Sequence, residues 1–229
     1  MDVIGEETLK RMDTVGFYND LIFDMAKKYM NGDILEAGSG IGSFTKKLSH
    51  QGEVTAIDIQ KHYVSKMKRE LKHVAQVGLG DIEKGKYFFG DKKRFDSIIC
   101  LNVLEHIADD KAALRNMYKL LRKNGHIFLL TPAHSQFYGS LDKNLGHERR
   151  YSLNKLAALF EQCGYKVQKK YYFNVLGGLG WLLNSRVLRR KIIPSNQLKM
   201  FSVVARLPLF IEKLIKPPFG LSCVIVASK

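Results

Sequence analysis

Short apolar runs that resemble β-strands alternate with helical patterns along most of this chain of 229 residues. A strand that is apolar on both faces suits a parallel sheet covered by helices on either side, and the alternation of strand and helix favours the same arrangement. The runs that we interpret as strands are 33–37, 53–59, 73–77, 95–101, 126–131, 165–173 and 220–228. The sequence therefore predicts an α/β fold with a seven-stranded, doubly wound sheet.

The length of the chain suits one large domain, and the segments between the strands indicate how it is organised. We expect a single domain over 1–229, with an N-terminal helical cap at 1–30 and a core at 31–174 and 219–229. The segment 175–218 is too long for a structureless loop inside a compact domain. We therefore predict a helical insertion there, before the last strand.

The chain is basic, with 37 Lys and Arg against 22 Asp and Glu and a formal net charge of +15. Much of this excess lies in 175–218, which has eight basic side chains and one acidic side chain, interleaved with Trp181 and many aliphatic residues. This mixture favours an amphipathic lid or an element that contacts an anionic membrane surface. It is less typical of a groove for nucleic acid.

The cysteines and the N-terminus bear on the cellular compartment. Cys100, Cys163 and Cys223 are far apart and lack the spacing of metal ligands, which is typical of reduced structural thiols. The N-terminus lacks a basic start followed by an apolar stretch of signal-peptide length. We expect a cytoplasmic protein, with peripheral association at the inner membrane face as a further hypothesis, and the oligomeric state stays open.

A glycine cluster follows the first predicted strand, where residues 36–42 read Glu-Ala-Gly-Ser-Gly-Ile-Gly. Glycines at such a turn let a ligand approach the backbone, whose amides and helix dipole suit a negative group. Asp58 ends the second predicted strand about twenty residues later, where a carboxylate can accept both hydroxyls of a ribose. Together these features predict a nucleoside site.

The glycine cluster resembles motif I of the class I S-adenosylmethionine-dependent methyltransferases, whereas Ser43 is a marginal fit to the third glycine of the NAD fingerprint. Segments 80–82, 95–106 and 120–126 resemble later motifs of that family, in the family's order. The resemblance implies a Rossmann-like methyltransferase fold, S-adenosylmethionine as cofactor and S-adenosylhomocysteine as product. The cofactor site that it implies consists of Tyr18, Glu36, Gly38, Ser39, Gly40, Gly42, Asp58, Ile59, Gly80, Asp81, Ile82, Leu101, Asn102 and His106.

Further segments resemble one bacterial and archaeal subfamily that is often linked to glycosyltransferases of surface-glycan pathways. These segments are 17–19, 102–110, 138–142, 146–151, 174–181 and 218–222. This resemblance implies a small-molecule, glycan or lipid-linked acceptor. It leaves the methylated atom open, although we expect a hydroxyl.

Polar side chains crowd into the loop after the fifth predicted strand, at the edge where a parallel sheet places its ligands. We predict that His147 is the general base, because an imidazole can take the proton of an attacking hydroxyl. We predict that Asp142, Arg150 and Tyr151 act beside it, in catalysis or acceptor binding. Arg149 and Arg150 could clamp a phosphate or carboxylate of the acceptor. The alternative is a loop in which the histidine and the arginines make only local hydrogen bonds and ion pairs.

Glu105 and His106 suggest a metal site, because ubiquinone-pathway O-methyltransferases have Glu-x-x-Glu-His after the same strand. This chain has Asn102 in place of the first glutamate, and adjacent residues of a helix point about 100° apart. We therefore predict no metal, and a structural or cofactor-side role for the pair.

Three other functions stay open on the sequence. An RNA methyltransferase would suit the basic charge, although no Asn/Asp-Pro-Pro-aromatic motif follows the fourth predicted strand. A non-catalytic S-adenosylmethionine-binding or membrane-associated factor would bind the cofactor without turnover. A nicotinamide-dependent oxidoreductase would bind a different nucleotide in the same cleft.

Overall fold

The computed structural model describes residues 3–13, 15–212 and 214–229. Residues 1, 2 and 14 of the predicted N-terminal cap, and residue 213 of the predicted insertion, lie outside the described residues. Within the described part of the chain, none of the helices combines the length and the apolar character needed to cross a lipid bilayer.

A mixed sheet of eight strands forms the centre of the described fold, in the order β4-β3-β2-β1-β5-β6-β8-β7. The strands are β1 (Gly32–Ala37), β2 (Gly52–Asp58), β3 (Ala75–Asp81), β4 (Lys86–Tyr87), β5 (Phe95–Leu101), β6 (Leu121–Pro132), β7 (Lys166–Phe173) and β8 (Ser222–Ser228). The central strands β3, β2, β1, β5 and β6 are parallel, whereas β4 is antiparallel to β3, and β8 is antiparallel to both β6 and β7. The predicted α/β fold with a doubly wound sheet is confirmed.

The predicted count of seven strands is one short. The additional strand, β4, consists of Lys86–Tyr87 and pairs with the end of β3 at the edge of the sheet. A strand of two residues has neither an apolar run nor an alternation of its own, so hydrophobic periodicity cannot reveal it.

Helices cover both faces of the sheet. Among the described residues they are α1 (Val3–Asp13), α2 (Gly16–Ala26), α3 (Thr45–Leu48), α4 (Lys61–Glu70), α5 (Asp110–Leu120), α6 (Ser140–Leu145), α7 (Leu153–Gln162), α8 (Val175–Leu182), α9 (Ser195–Val204) and α10 (Arg206–Glu212). Ile98 packs with Leu114 of α5 in one core, and its neighbour Ile99 packs with Met67 of α4 in the other. Because consecutive residues of β5 are buried on opposite faces, the strand is apolar throughout.

Helix α5 ends at Leu120, because the chain joins the sheet at the next residue. Leu121 opens β6 and pairs with Phe95 of β5. Arg122 then forms ion pairs with Asp33 at 2.6 Å and with Asp96 at 2.5 Å. These contacts hold 121–122 against the strands and prevent another turn of helix.

The chain between β7 and β8 contains α8, a π-helical turn at Leu183–Val187, α9 and α10. Asn174 has a left-handed φ of 68°, and its side-chain oxygen caps α8 by accepting the N–H of Gly177 at 2.8 Å. The Glu212 carboxylate accepts the backbone N–H groups of Asn174 at 2.6 Å and Val175 at 3.1 Å. The end of α10 is thereby held against the start of α8.

Gly52→Ala tests the close approach of β1 and β2. A methyl group at position 52 would lie inside the van der Waals distance of the Gly32 carbonyl oxygen, and overpacking of this kind costs about 1–3 kcal/mol. We expect urea denaturation to show a loss of that size in the free energy of unfolding. Gly16→Ala is the matched control, because no heavy atom lies within 4 Å of a methyl group there. Equal stability of the two variants would contradict the packing described.

Candidate active site

A cavity of about 490 Å³ lies at the carboxyl ends of the parallel strands. It is next to the boundary between β1 and β5, where the chain order of the strands reverses direction across the sheet. Ligands of open α/β sheets bind at such a switch point, because the loops from neighbouring strands diverge there. The cavity is the candidate active site.

The glycine cluster forms the turn at one side of this cavity. Gly38, Gly40 and Gly42 have φ values of 76°, 54° and 85°, in the left-handed region that favours glycine. A Cβ on Gly38 would also collide with the side chain of Val103. Gly38 and Gly40 line the cavity, whereas Gly42 does not and packs against α4 near Met67.

Asp58 ends β2 and faces the same cavity. Its carboxylate accepts the backbone N–H of Gly40 on one oxygen and that of Gln60 on the other, each at 2.8 Å. Burial raises the pKa of Asp58, and these two hydrogen bonds oppose that shift. Each oxygen keeps a further lone pair, so the carboxylate can still accept two hydroxyl groups of a ligand.

Glu36 is buried at the end of β1, and its Oε2 accepts the hydroxyl of Thr45 at 2.5 Å. Burial, together with the charge of Asp58, raises the pKa of Glu36 to about 8, although the Thr45 hydrogen bond lowers it. Glu36 is therefore mostly protonated at neutral pH in the ligand-free cavity. A protonated carboxyl can donate a hydrogen bond to a ligand, which a carboxylate cannot.

The remaining residues predicted for the cofactor site also line the cavity. Ile59 follows β2, Asp81 is the last residue of β3, and Asn102, with φ of 52°, follows β5. Tyr18 reaches the cavity from α2, and its hydroxyl accepts the side-chain N–H of Asn174 at 3.2 Å. The others are Ser39, Gly80, Ile82, Leu101 and His106.

Asp142 anchors the other side of the site. Its buried carboxylate contacts His147 Nδ1 at 2.8 Å and accepts hydrogen bonds from Arg150 Nε at 2.7 Å, the Gly139 N–H at 3.0 Å and Trp181 Nε1 at 3.2 Å. Burial alone would raise the pKa of Asp142, but the contacts with His147 and Arg150 hold it below its usual value. Asp142 is therefore a carboxylate, and its hydrogen bonds fix the positions of the His147 ring and the Arg150 guanidinium.

His147 lines the cavity and lies beside two other polar side chains. One ligand-capable atom from each of Glu105, His106 and His147 lies within 4.8 Å of the other two. Glu105 is fully buried, its Oε2 accepts the Thr131 hydroxyl at 3.0 Å, and its Oε1 has no hydrogen-bond partner. Burial raises the pKa of Glu105 to about 7 against the opposing effects of His147, Thr131 and Arg150. Glu105 Oε1 is therefore a buried polar atom without a partner next to His147.

The loop residues differ in their distance from this chemistry. Arg150 lines the cavity, stacks its guanidinium 4.7 Å from the Trp181 ring centroid, and has a buried Nη2 without a partner. Tyr151 does not line the cavity, and its hydroxyl bonds to Asp110 at 2.9 Å behind the site. Arg149 also pairs with Asp110, at 3.0 Å, so this arginine has the local role that the sequence left open.

Two residues of this site were missed as site residues in the sequence. Trp181 contacts Asp142 from the distant segment after β7, and its ring lies 6.5 Å from that of His147, nearly parallel at 4°. Glu105 was assigned only a general supporting role. The available signal was chemical: Trp181 is the only tryptophan of the chain, and Glu105 is a carboxyl that directly follows the apolar pair Val103 and Leu104.

Part of the chain is similar in sequence to known methyltransferases. Residues 35–127 match the family model described as a methyltransferase domain. The ubiquinone biosynthesis O-methyltransferase of Alkalilimnicola ehrlichii is 30% identical over 100 residues, which are 43% of this chain and 40% of that protein. The chain thus spans less than half the length of this curated relative.

Solved structures extend the likeness to nearly the whole chain. A candidate methyltransferase of Bacillus halodurans has a TM-score of 0.64 at 16% identity, covering 92% of this chain and 99% of that one. The N-methyltransferase NodS of Bradyrhizobium japonicum, crystallised with S-adenosylhomocysteine, has a TM-score of 0.57 at 15% identity, covering 93% and 85%. The predicted Rossmann-like fold of class I methyltransferases is confirmed by this likeness.

Glu36→Gln tests the burial of the Glu36 carboxyl. Because its folded-state pKa of about 8 lies above the ordinary value of 4.5, the folded protein keeps a proton that the unfolded chain releases between these values. The stability that depends on this proton is fully present below the unfolded pKa and is lost as the pH rises through the folded pKa, at about 1.4 kcal/mol per unit of pKa shift. We expect the wild-type free energy of unfolding to fall, relative to the variant, as the pH rises through this window.

The measurement is urea denaturation of both proteins across the same pH series. Glu53→Gln is the control. Glu53 is exposed on the neighbouring strand β2, so its replacement should leave the pH dependence of stability as it is in the wild type. Parallel pH profiles for wild type and Glu36→Gln would show that the carboxyl is not held in the way described.

Proposed function

We propose that the protein transfers a methyl group from S-adenosylmethionine to a hydroxyl group, with His147 as the general base. The observation that carries this proposal is the Asp142–His147 pair beside a cavity that the glycine turn and Asp58 also line. The residues proposed for the nucleoside and the residue proposed as the base line one cavity, which supports the proposal.

The residues at the nucleoside end have the chemistry that the cofactor requires. Asp58 has lone pairs for the two ribose hydroxyls, and Gly38 and Gly40 present backbone without side chains to the cavity. Asp81, at the end of β3, is proposed to accept the exocyclic amine of adenine. When bound, S-adenosylmethionine supplies an electrophilic methyl group on its sulfonium. The part of the protein is to align the acceptor and exclude water.

The hydrogen bond between His147 and Asp142 sets the direction of proton transfer. Because Asp142 is a carboxylate, the Nδ1 of His147 carries the proton that faces it, and Nε2 keeps its lone pair. In the proposed reaction Nε2 would take the proton of the acceptor hydroxyl as the methyl group passes from the sulfonium to the acceptor oxygen; the methyl–sulfur bond would break and S-adenosylhomocysteine would leave. Asp142 then stabilises the imidazolium, in the way that the acid of a catalytic triad orients its histidine.

The group of Glu105, His106 and His147 has ligand types that a divalent cation can also use. Two features favour the base. The buried guanidinium of Arg150 shares Asp142 with His147, so a divalent cation here would be repelled at close range. Because the pKa of Glu105 is raised to about 7, this side chain carries less negative charge at neutral pH and attracts a cation less strongly.

The acceptor is proposed to be a small molecule, a glycan or a lipid-linked glycan. The sequence resemblance to the subfamily linked to surface-glycan pathways supports this class of acceptor. The relative from Alkalilimnicola ehrlichii is named as an O-methyltransferase, which supports a hydroxyl as the methylated group. The unpartnered Glu105 Oε1 and Arg150 Nη2 offer one acceptor and one donor to a hydroxyl-rich molecule. We expect RNA to bind less well, since the polar groups of the cavity are buried within it.

Asp58→Asn tests the nucleoside end. We expect its affinity for S-adenosylhomocysteine, measured by isothermal titration calorimetry, to fall by about 10- to 100-fold, because charge-assisted hydrogen bonds to the ribose are worth about 1.5–3 kcal/mol. Glu53→Gln is the control, since it removes a charge near the opposite end of the same strand. Wild-type affinity in a folded Asp58→Asn protein would contradict the assignment of the cavity.

His147→Ala tests the base. We expect turnover to fall by about 10²- to 10⁴-fold while affinity for S-adenosylhomocysteine is kept, because a positioned base contributes about that factor. The assay is release of S-adenosylhomocysteine with a panel of phenols, sugars and polyprenyl-linked sugars. His126→Ala, in the middle of β6 and outside the residues that line the cavity, is the control.

Two outcomes would contradict the role of His147. One is unchanged turnover in His147→Ala on the best acceptor of the panel. The other is loss of wild-type activity after treatment with a chelator and recovery on adding a divalent cation, which would make His147 a metal ligand instead.

A further inference from the structure

The exposed apolar side chains of the described structure are concentrated in one region. Of its 17 exposed large hydrophobic residues, 13 lie between positions 179 and 219. An exposed apolar patch of this density on a folded protein indicates a contact surface. The rest of the described surface has only four such residues, Leu9, Ile59, Leu79 and Phe88.

The patch is centred on α9, α10 and the residues that follow them. Leu198, Ala205 and Leu209 are buried, so one side of these helices packs onto the protein. The other side is also apolar, where a surface helix is normally polar. The side chains of this exposed side, which we call the outer apolar face, are Met200, Val203, Val204, Leu207, Phe210, Ile211, Leu214 and Ile215.

The charges beside the outer apolar face have one sign. Lys199, Arg206 and Lys216 are basic, and none of them forms an ion pair within the part of the chain that the structure describes. Glu212 is the one acidic residue of 175–218, and its carboxylate is occupied by two backbone N–H groups. The surface therefore combines apolar area with uncompensated positive charge.

We propose that the outer apolar face docks onto an anionic lipid bilayer. Its apolar side chains would insert among the acyl chains, and Lys199, Arg206 and Lys216 would contact anionic headgroups. Helices that lie in the membrane interface combine these two features. A second copy of the chain is a poorer occupant, because it would bring two sets of the same positive charges together.

Docking there would place the bilayer next to the cavity. Phe201 of α9 packs on Tyr18, with ring centroids 6.1 Å apart, and Tyr18 lines the cavity. Ile193, just before α9, lines it as well. Docking is a proposal separate from methyl transfer. It is tested by binding to lipid vesicles, so the result does not depend on whether the protein transfers a methyl group.

The test is co-sedimentation with vesicles of phosphatidylglycerol and phosphatidylcholine, compared with vesicles of phosphatidylcholine alone. We expect the wild type to bind the anionic vesicles and to be released as the salt concentration rises. Leu207→Ser/Phe210→Ser/Leu214→Ser should weaken binding at least tenfold, because these three side chains are 69%, 59% and 77% exposed. Lys199→Gln/Lys216→Gln should weaken binding and reduce its salt dependence.

Leu79→Ser/Phe88→Ser is the matched control, since it removes exposed apolar area away from α9 and α10 and should bind as the wild type does. Far-UV circular dichroism and thermal melting establish that each variant is folded. The proposal is overturned if the wild type does not sediment with anionic vesicles, or if the triple variant is folded and sediments equally well. It is also overturned if the wild type is a dimer by sedimentation velocity and the triple variant a monomer, because a second copy then covers the face.

Discussion

The candidate active site depends on the buried carboxylate of Asp142. This group contacts His147, Arg150, Trp181 and the backbone of Gly139, and thereby joins α6, the loop before α7 and the insertion after β7. A fully buried carboxylate must be matched by donors or cations, because loss of its partners leaves an uncompensated charge at a cost of about 3–5 kcal/mol. The same contacts that stabilise the fold here also set the orientation of the proposed base.

The sheet supplies the other constraint on the site. Its parallel strands end at one edge, and the reversal of strand order between β1 and β5 opens the cavity there. Asp58 reaches this edge from β2, whereas His147 follows β6, so no single strand holds both ends of the proposed reaction.

The sequence predicted the parts of the structure that follow from local pattern. The apolar runs led to the sheet, and the resemblance to class I methyltransferases implied a set of cofactor-site residues that, except for Gly42, line the cavity. Gly42 has the left-handed conformation of its neighbours, but α4 covers it, and spacing alone could not distinguish packing from ligand contact. Tyr151 and Arg149 were grouped with His147 by their closeness in sequence, whereas both bond to Asp110 outside the cavity. The contact between Trp181 and Asp142 spans 39 residues, and only the folded insertion brings the two together.

The central claim is that one cavity holds the nucleoside at Asp58 and presents the reacting sulfur to His147. A crystal structure of the protein with S-adenosylhomocysteine tests it most directly. We expect both ribose hydroxyls within hydrogen-bond distance of the Asp58 carboxylate, and the sulfur atom on the side of the cavity that His147 and Glu105 line. A ligand bound elsewhere, or one with its sulfur directed away from His147, would contradict the account.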